Sequence, residues 1–262
     1  MAIDTGMRHR NGNRVLAEMS ARAFALIEPQ LSWREFTHGT MLWDAGDHVP
    51  RVYFPHAGLI SLTIPAQDKH GVEVAGIGRE SAAGAYQALD DQPSTTRAVV
   101  QVGGPISSLP RKTFIAAAEA DEEIGRLRLL AGEWLLLQAQ RMSACNATHP
   151  ADARFARWLL TAVERTGLST IPVTQEDIAG FLGIRRTTVT LIAQKLQMAG
   201  VIGYTRARIT VRDRAALERA CCSCCAALGR ASWPSTRLEA MRRPELARRV
   251  GVGGGGDMVA PR

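Results

Sequence analysis

The sequence predicts an α+β fold with an N-terminal antiparallel β jelly roll, a long dimerisation helix and a C-terminal winged helix-turn-helix. Short runs of alternating side chains, separated by Gly, Pro and Asp, fill residues 41–109. An unbroken helical pattern follows at 121–147, and two short helical patterns meet at a glycine within 174–194. A chain of 262 residues is long enough for two modest domains on either side of such a helix.

The front of the chain, residues 14–120, has the pattern of a β domain that begins with a predicted helix at about 14–27. Many short strands separated by turn residues favour an antiparallel sandwich or jelly roll. Such a barrel commonly contains a ligand, although the fold alone proves no function. The predicted strands occupy residues 51–54, 59–64, 72–77, 98–102 and 106–109.

The long helix, predicted at residues 121–149, carries four apolar side chains at intervals of three, four and three, which is a heptad pattern. We predict that these four residues form a homodimer interface, because a twofold dimer suits a near-palindromic DNA site. The alternative is a helix that packs on the core of its own domain. The four residues are Leu127, Leu130, Trp134 and Leu137.

Residues 174–194 have the packing pattern of a helix-turn-helix. Thr174 and Asp177 form a predicted capping box at the start of the first helix, and Gly183 supplies a turn residue that tolerates positive φ. The second helix is predicted from about Arg186 to Ala199. An ordinary helical hairpin is the alternative, since any two packed helices place apolar residues three and four apart. The predicted inward residues are Ile178, Ala179, Leu182, Ile184, Val189 and Ile192.

The outer face of the second helix is suited to double-stranded DNA. In a recognition helix the N-terminal residues reach base edges, where Arg pairs with guanine and Thr contacts a thymine methyl or a phosphate. Acidic residues are absent from 184–212, whereas ordinary surface helices mix both signs of charge. The predicted major-groove residues are Arg185, Arg186, Thr187, Thr188, Thr190 and Gln194.

A β-hairpin at residues 201–211 is predicted to form the wing. Arg206 and Arg208 lie near its tip, where they are placed for phosphate contacts. The turn contains no glycine, so the sequence leaves its register open.

Basic charge is concentrated at two places in the chain. Residues 171–214 contain seven Lys or Arg and three acids, which gives +4, and residues 226–262 have the same balance. The total of +7 therefore leaves about −1 for the rest of the chain. This distribution suits a polyanionic partner, and the Gly, Pro and Arg enrichment of 226–262 predicts a disordered basic tail.

Other patterns limit the functional classes. The chain has no stretch of 18 apolar residues and no apolar signal-peptide core, so we expect a cytoplasmic protein without a membrane partner. A phosphate-binding glycine loop, an HExxH motif and a GxSxG motif are all missing, which argues against an enzyme.

The five cysteines do not resemble a disulfide framework. Thiolates bind soft metals, but adjacent cysteines converge poorly on a tetrahedral ion and no histidine is near them in sequence. We therefore predict no metal and interpret the crowded four as incidental or weakly reactive thiols. Cys145 and His149, four residues apart, are interpreted as a buried thiol and a capping imidazole. The crowded cysteines are Cys221, Cys222, Cys224 and Cys225.

The order of a β domain, a long helix and a winged helix-turn-helix resembles the family of the cyclic-AMP receptor protein and the fumarate and nitrate reduction regulator (Crp/Fnr), over about residues 20–225. The resemblance implies a homodimeric transcription factor whose N-terminal domain senses a signal and reorients the recognition helices, with RNA polymerase as a further partner. Its carrying residues are Gly46, Gly58, the stretch VEVAGIGRESAAGAYQAL, Arg97, Cys145, Asn146, His149, 154–160 and 174–211.

The ligand cassette departs from the family pattern. The family uses a glycine followed by a glutamate for the ribose hydroxyl, and an arginine for the cyclic phosphate. Here Ala85 follows Gly84, and Arg97 stands where the phosphate arginine is expected, either as a ligand residue or as a structural one. The missing carboxylate removes a hydrogen bond worth about 1.5 to 3 kcal/mol. We expect an unidentified small-molecule effector rather than cyclic AMP, and no cofactor is assigned.

An iron–sulfur cluster of the family's N-terminal kind is not expected, because no cysteine precedes Cys145.

The predicted domains are a cyclic-nucleotide-binding-like sensor at 14–120, a dimerisation helix at 121–149, a winged helix-turn-helix at 150–225 and the tail at 226–262. The sequence thus predicts a sequence-specific, homodimeric transcriptional regulator. The alternative is a ligand-binding or interaction module with non-specific affinity for nucleic acid.

Overall fold

The computed structural model describes residues 9–10, 12–65, 71–86 and 92–225. The predicted tail at 226–262 lies outside the described residues. The N-terminal helix predicted at 14–27 is divided into α1 (Arg14–Glu18) and α2 (Ala21–Ile27). The division falls at Ser20, whose hydroxyl accepts a hydrogen bond from the Ala23 N–H and so caps a new helix.

Within the described ranges, the β domain consists of seven strands in two antiparallel sheets, which confirms the predicted antiparallel architecture. One sheet has the strand order β1-β7-β3 and the other has the order β2-β6-β4-β5. The strands are β1 (Ser32–Phe36), β2 (Met41–Trp43), β3 (Arg51–Pro55), β4 (Leu59–Ile64), β5 (Val72–Ile77), β6 (Arg97–Val102) and β7 (Gly104–Pro110).

Strand β4 is buried on both faces, which its alternating sequence alone does not require. Ile60 and Leu62 point into a core that β5 and β6 complete. Leu59 instead belongs to the core of the C-terminal domain, and Ser61 is also buried. The C-terminal domain therefore covers the outer face of this sheet.

Three helices follow the β domain: α3 (Arg111–Ala120), α4 (Glu122–Thr148) and α5 (Ala151–Thr166). Asp121 starts α4, since its carboxylate accepts hydrogen bonds from the backbone N–H groups of Glu123 and Ile124. Pro150 precedes α5, which ends at the left-handed Gly167.

The apolar heptad of α4 faces its own chain, which corrects the predicted dimer interface. Leu127, Leu130 and Trp134 are buried with Phe54 and Phe114 in the core between α4 and the β domain, and Leu137 packs against the same core. A heptad pattern identifies an apolar face but not the surface that covers it. Two other leucines of α4, Leu129 and Leu136, are 64% and 59% exposed.

The C-terminal domain is a winged helix-turn-helix, as predicted. Its small sheet has the order β8-β10-β9, and its helices surround a core formed by residues such as Phe155, Leu159, Ile178, Val189 and Ile209. Its elements after α5 are β8 (Thr170–Pro172), α6 (Gln175–Leu182), α7 (Arg186–Met198), β9 (Ile202–Thr205), β10 (Arg208–Val211) and α8 (Arg214–Ala220).

Gly84 and Gly46 allow a paired test of backbone constraint in the β domain. Both have positive φ, +84° and +93°, so Ala at either position adds left-handed strain of about 1 to 2 kcal/mol. A Cβ at Gly84 would also lie 2.4 Å from the Arg51 carbonyl oxygen, whereas nothing lies within 4 Å at Gly46. Urea unfolding should show a larger loss of unfolding free energy for Gly84→Ala than for Gly46→Ala. Equal losses would contradict the close approach.

Candidate nucleic-acid interface

The first helix of the motif, α6, begins and ends as its sequence predicts. The Thr174 hydroxyl accepts a hydrogen bond from the Asp177 N–H at 3.1 Å, and the Asp177 carboxylate accepts one from the Thr174 N–H at 2.9 Å. This is a complete capping box. Gly183 ends the helix in the left-handed region, with φ 60° and ψ 43°. These local interactions produce the tight turn that leads into α7.

The inward side of α7 is apolar and its outer side is open to solvent. Val189, Ile192, Ala193 and Leu196 are buried, which matches the predicted packing face. The predicted groove residues lie on the other side: Arg185, Arg186, Thr187 and Gln194 are exposed, and Thr188 and Thr190 are half-buried.

Two apolar side chains on the outer face were not among the predicted groove residues. Leu191 is 67% exposed and Met198 is 84% exposed. Together with Thr187 and Gln194 they recur at intervals of four, three and four, which is one helical stripe. The same spacing is readable in the sequence, so the outward position of Leu191 follows from the local helical pattern.

The two helices of the motif are tied together by polar side chains. The Thr190 hydroxyl donates a hydrogen bond to the Gln175 side-chain oxygen at 2.7 Å, so it orients α7 against α6. The Nε atom of Arg186 lies 3.9 Å from a carboxylate oxygen of Glu176, and both side chains are mostly exposed. An exposed pair of this kind contributes little to stability, so Arg186 can exchange Glu176 for another anion at small cost.

The wing is a β-hairpin with a two-residue turn, and the structure determines the register that the sequence left open. Thr205 pairs with Arg208, and the turn residues Arg206 and Ala207 have φ values of 34° and 62°. Two residues with positive φ match the twist of a hairpin even without glycine. The Ala207 carbonyl accepts a hydrogen bond from Val173 at 2.9 Å, which holds the turn beside β8. Arg206 and Arg208 are exposed, as predicted.

Comparison with known proteins agrees with this geometry. Residues 153–220 match the family described as a Crp-like helix-turn-helix domain. FixK2 from Bradyrhizobium japonicum is 17% identical to this chain, with a TM-score of 0.63. The superposition covers 74% of this chain and 98% of the FixK2 chain. The chain has the Crp/Fnr fold and carries a Crp-like helix-turn-helix domain.

Two further structures with the Crp/Fnr fold are similar over most of their length. TTHB099, a CRP-family transcriptional regulator from Thermus thermophilus, is 21% identical with a TM-score of 0.60 and covers 71% of this chain and 95% of its own. CLP, a c-di-GMP responsive global regulator from Xanthomonas campestris, is 14% identical with a TM-score of 0.60. The superposition covers 73% of this chain and 99% of the CLP chain. No curated protein has a significantly matching sequence.

The residues predicted as a Crp/Fnr-type ligand cassette have separate contacts in the structure. Arg97 donates two hydrogen bonds to the Asp44 carboxylate, at 2.8 and 3.0 Å, and this contact lowers the pKa of Asp44. Ala85 is buried in the core that contains α4 residues, and Gly84 lies against the backbone of Arg51. In the described part of the β domain, this arrangement favours the structural interpretation of Arg97.

A buried arginine joins the DNA-binding domain to the β domain and to α4. Arg165 of α5 donates hydrogen bonds to the Gly76 carbonyl of β5 and, at 2.7 Å, to the Gln138 side chain of α4. Its Nε atom also lies 3.4 Å from the Glu80 carboxylate, and both side chains are almost fully buried. One guanidinium of α5 therefore contacts both α4 and the end of β5 with the residues that follow it.

Next to this arginine lies a fully buried carboxyl group. The Ser61 hydroxyl donates a hydrogen bond to Glu73 at 2.7 Å. Burial raises the pKa of Glu73, while the Ser61 hydrogen bond and the charges of Arg165 and Arg157 act in the opposite direction. Glu73, Arg157 and Arg165 line a cavity of about 10 Å³ between the domains, the size of roughly one water molecule.

The structure also gathers residues that the sequence reading kept apart. Cys145 and His149 at the end of α4 lie beside Cys222 and Cys224, which follow α8. No histidine is near the crowded cysteines in sequence, but the fold brings His149, 75 residues earlier in the chain, into contact with Cys224. Among the described helices, none has both the length and the apolar character that a membrane crossing requires.

The buried Glu73 gives the domain junction a defined pH dependence. Its pKa in the folded protein is raised above the ordinary 4.5, so the folded state retains a proton that the unfolded chain releases. The free energy of unfolding should therefore fall as pH rises through and above that value, and Glu73→Gln should remove this loss. Urea unfolding of both proteins between about pH 5 and about pH 7 measures the difference. If the difference in unfolding free energy between the two proteins does not change across this pH range, Arg157 and Arg165 hold the carboxylate ionised and the expectation is wrong.

Proposed function

We propose that the protein is a homodimeric, sequence-specific transcriptional regulator that binds double-stranded DNA through α7 and its wing. The observation that carries the proposal is the outer face of α7, which presents exposed Arg and Thr residues from a rigidly capped helix-turn-helix. The Crp-like domain match at 153–220 supports the same assignment. RNA polymerase is a further proposed partner, and the proposed location is the cytoplasm.

The residues of α7 divide into base-reading and positioning roles. Arg185 and Arg186, at the N-terminal end, pair with guanine edges, and Thr187 and Gln194 hydrogen-bond to neighbouring bases. Leu191 provides an apolar surface for a thymine methyl group. The hydroxyl of Thr190 is used by Gln175, so Thr190 acts mainly by orienting the helix, and Thr188 supports the N-terminal turn.

The wing arginines supply affinity rather than sequence preference. Arg206 lies in the two-residue turn and Arg208 directly after it. The turn is held by the pairing of β9 with β10 and by the hydrogen bond from Val173 to Ala207. A rigid turn costs little entropy when its cations meet phosphates. Each phosphate contact releases condensed counterions, so these residues should mainly determine the salt dependence of binding.

The dimer interface is proposed on the exposed face of α4. Leu129 and Leu136 are seven residues apart and occupy the same position of a heptad, opposite the face that is buried in the β domain. Exposed large apolar side chains on a long helix favour an apolar partner surface. A twofold pairing of α4 brings two copies of the DNA-binding domain to half-sites about 34 to 36 Å apart.

Control by the β domain is proposed to pass through the junction at Arg165. The effector is an unidentified small molecule, and the sensor pocket differs from a cyclic-AMP cassette because Ala85 replaces the carboxylate and Arg97 pairs with Asp44. An effector that binds one arrangement of the β domain more tightly shifts the population toward the state in which that arrangement contacts α5. Arg165 of α5 is hydrogen-bonded to β5 and α4, so α5 follows a change in the β domain. The recognition helix α7, which belongs to the same domain as α5, then moves relative to α7 of the other protomer.

Replacing Arg186 by Ala distinguishes base reading from general DNA affinity. The variant should lose about 1 to 3 kcal/mol of binding free energy on the preferred sequence, with a small loss on unrelated DNA. Arg219→Ala, which removes an exposed arginine of α8, is the charge-matched control. Fluorescence titrations at one salt concentration measure both. Equal losses on all sequences would favour the alternative, an interaction module with non-specific nucleic-acid affinity.

Replacing Leu129 and Leu136 by Ser tests the dimer surface. The double variant should be monomeric and folded, because both side chains are exposed within the single chain. Leu168→Ser removes another partly exposed leucine, in the DNA-binding domain, and should leave the dimer intact. Sedimentation velocity reports the assembly state of each. A monomeric natural chain, or a double variant that remains dimeric, would refute this interface.

A further inference from the structure

Three thiols and one imidazole meet where the end of α4 lies against the segment that follows α8. The sulfur atoms of Cys145 and Cys222 are 3.5 Å apart, and the sulfur of Cys224 is 3.8 Å from Nδ1 of His149. All four candidate ligand atoms lie within 4.8 Å of one another. Four metal-binding side chains from two distant segments therefore share one small volume.

The backbone explains why these side chains converge. Cys145 and His149 are four residues apart at the end of α4, so they lie on the same side of the helix. The partner segment is positioned by α8, whose fully buried Leu217 belongs to the core of the DNA-binding domain. Cys222 and Cys224 follow directly and are themselves buried.

The spacing fits a single tetrahedral ion. Zinc binds sulfur at about 2.3 Å and nitrogen at about 2.0 to 2.1 Å, so ligand atoms around one zinc are about 3.5 to 3.8 Å apart. The Cys145–Cys222 and Cys224–His149 separations, 3.5 and 3.8 Å, agree with that geometry. A disulfide requires sulfur atoms at about 2.05 Å, much closer than the Cys145 and Cys222 pair.

A buried cation lies close to this cluster. Arg157 is only 2% exposed and, among the described residues, its Nε and Nη2 atoms have no hydrogen-bond partner. Its guanidinium is near enough to act electrostatically on Cys145 and Cys224. Three thiolates and Zn²⁺ sum to one negative charge, which Arg157 can balance in a site where an unpaired charge is costly.

We propose that Cys145, His149, Cys222 and Cys224 form a structural zinc site. All four positions around the ion come from protein side chains, which is the arrangement of structural rather than catalytic zinc. The ion links the end of α4 to the segment after α8. The part of the chain from α5 to α8 is therefore held at both of its ends by the same ion. The site does not depend on the proposed function, because it requires neither DNA nor an effector.

Metal stoichiometry of paired variants tests the assignment. The full chain, reduced and loaded with zinc, should retain one ion per chain in native mass spectrometry, and Cys222→Ser with Cys224→Ser should abolish retention. Cys221→Ser with Cys225→Ser is the matched control and should keep the ion. Loss of zinc in the control, or retention in the first pair, would overturn the ligand set.

X-ray absorption of the zinc-loaded natural chain gives a readout that does not depend on variant folding. Three sulfur ligands at about 2.3 Å and one nitrogen at about 2.0 to 2.1 Å are expected. Removing the ion with a chelator should also lower the temperature of unfolding. A chain that binds no zinc, a shell of oxygen ligands, or a Cys145–Cys222 disulfide under reducing conditions would overturn the proposal.

Discussion

The arrangement of the two domains depends on the buried guanidinium of Arg165. A cation in this position is stable only where acceptors surround it, and here the Gly76 carbonyl, the Gln138 side chain and the Glu80 carboxylate provide them. These partners come from the β domain and from α4, so moving α5 away from either would leave a buried charge or a buried acceptor unpaired. The interaction therefore favours one orientation of the DNA-binding domain.

The rest of the junction follows from that orientation. Leu59 of β4 joins the core of the winged domain, and the buried Glu73 lies against α5 rather than in solvent. Near the start of α6, the imidazole of His38 lies 3.9 Å from the Asp177 carboxylate, so the capping box itself is near the β domain. A change in the β domain thus has a short physical route to the helix that supports α7.

The parts that could be predicted from sequence are those fixed by local interactions. The capping box at Thr174 and the left-handed turn at Gly183 depend on residues within one turn of each other, so their pattern was sufficient. Strands β3 to β7 were likewise apparent from turn residues and alternation, whereas β1 and β2 were not predicted. The partner of the α4 heptad was not, because Leu127 and Trp134 meet a surface assembled from distant strands and helices.

The side-chain clusters show the same limit more strongly. Cys145 and Cys222 are 77 residues apart in sequence, and only the packing of α8 brings them together. The contact between Arg97 and Asp44 spans 53 residues and favours the structural interpretation of Arg97, one of the two that the sequence left open. Leu191 differs, since its outward position follows from helical spacing alone.

The most direct test of the account is a genome-wide footprint of the natural chain at physiological salt. Two α7 helices related by a twofold axis should protect paired, near-palindromic half-sites whose centres are about one helical turn of DNA apart. Protection of single half-sites, or protection without any sequence preference, would contradict a dimer that reads bases through α7.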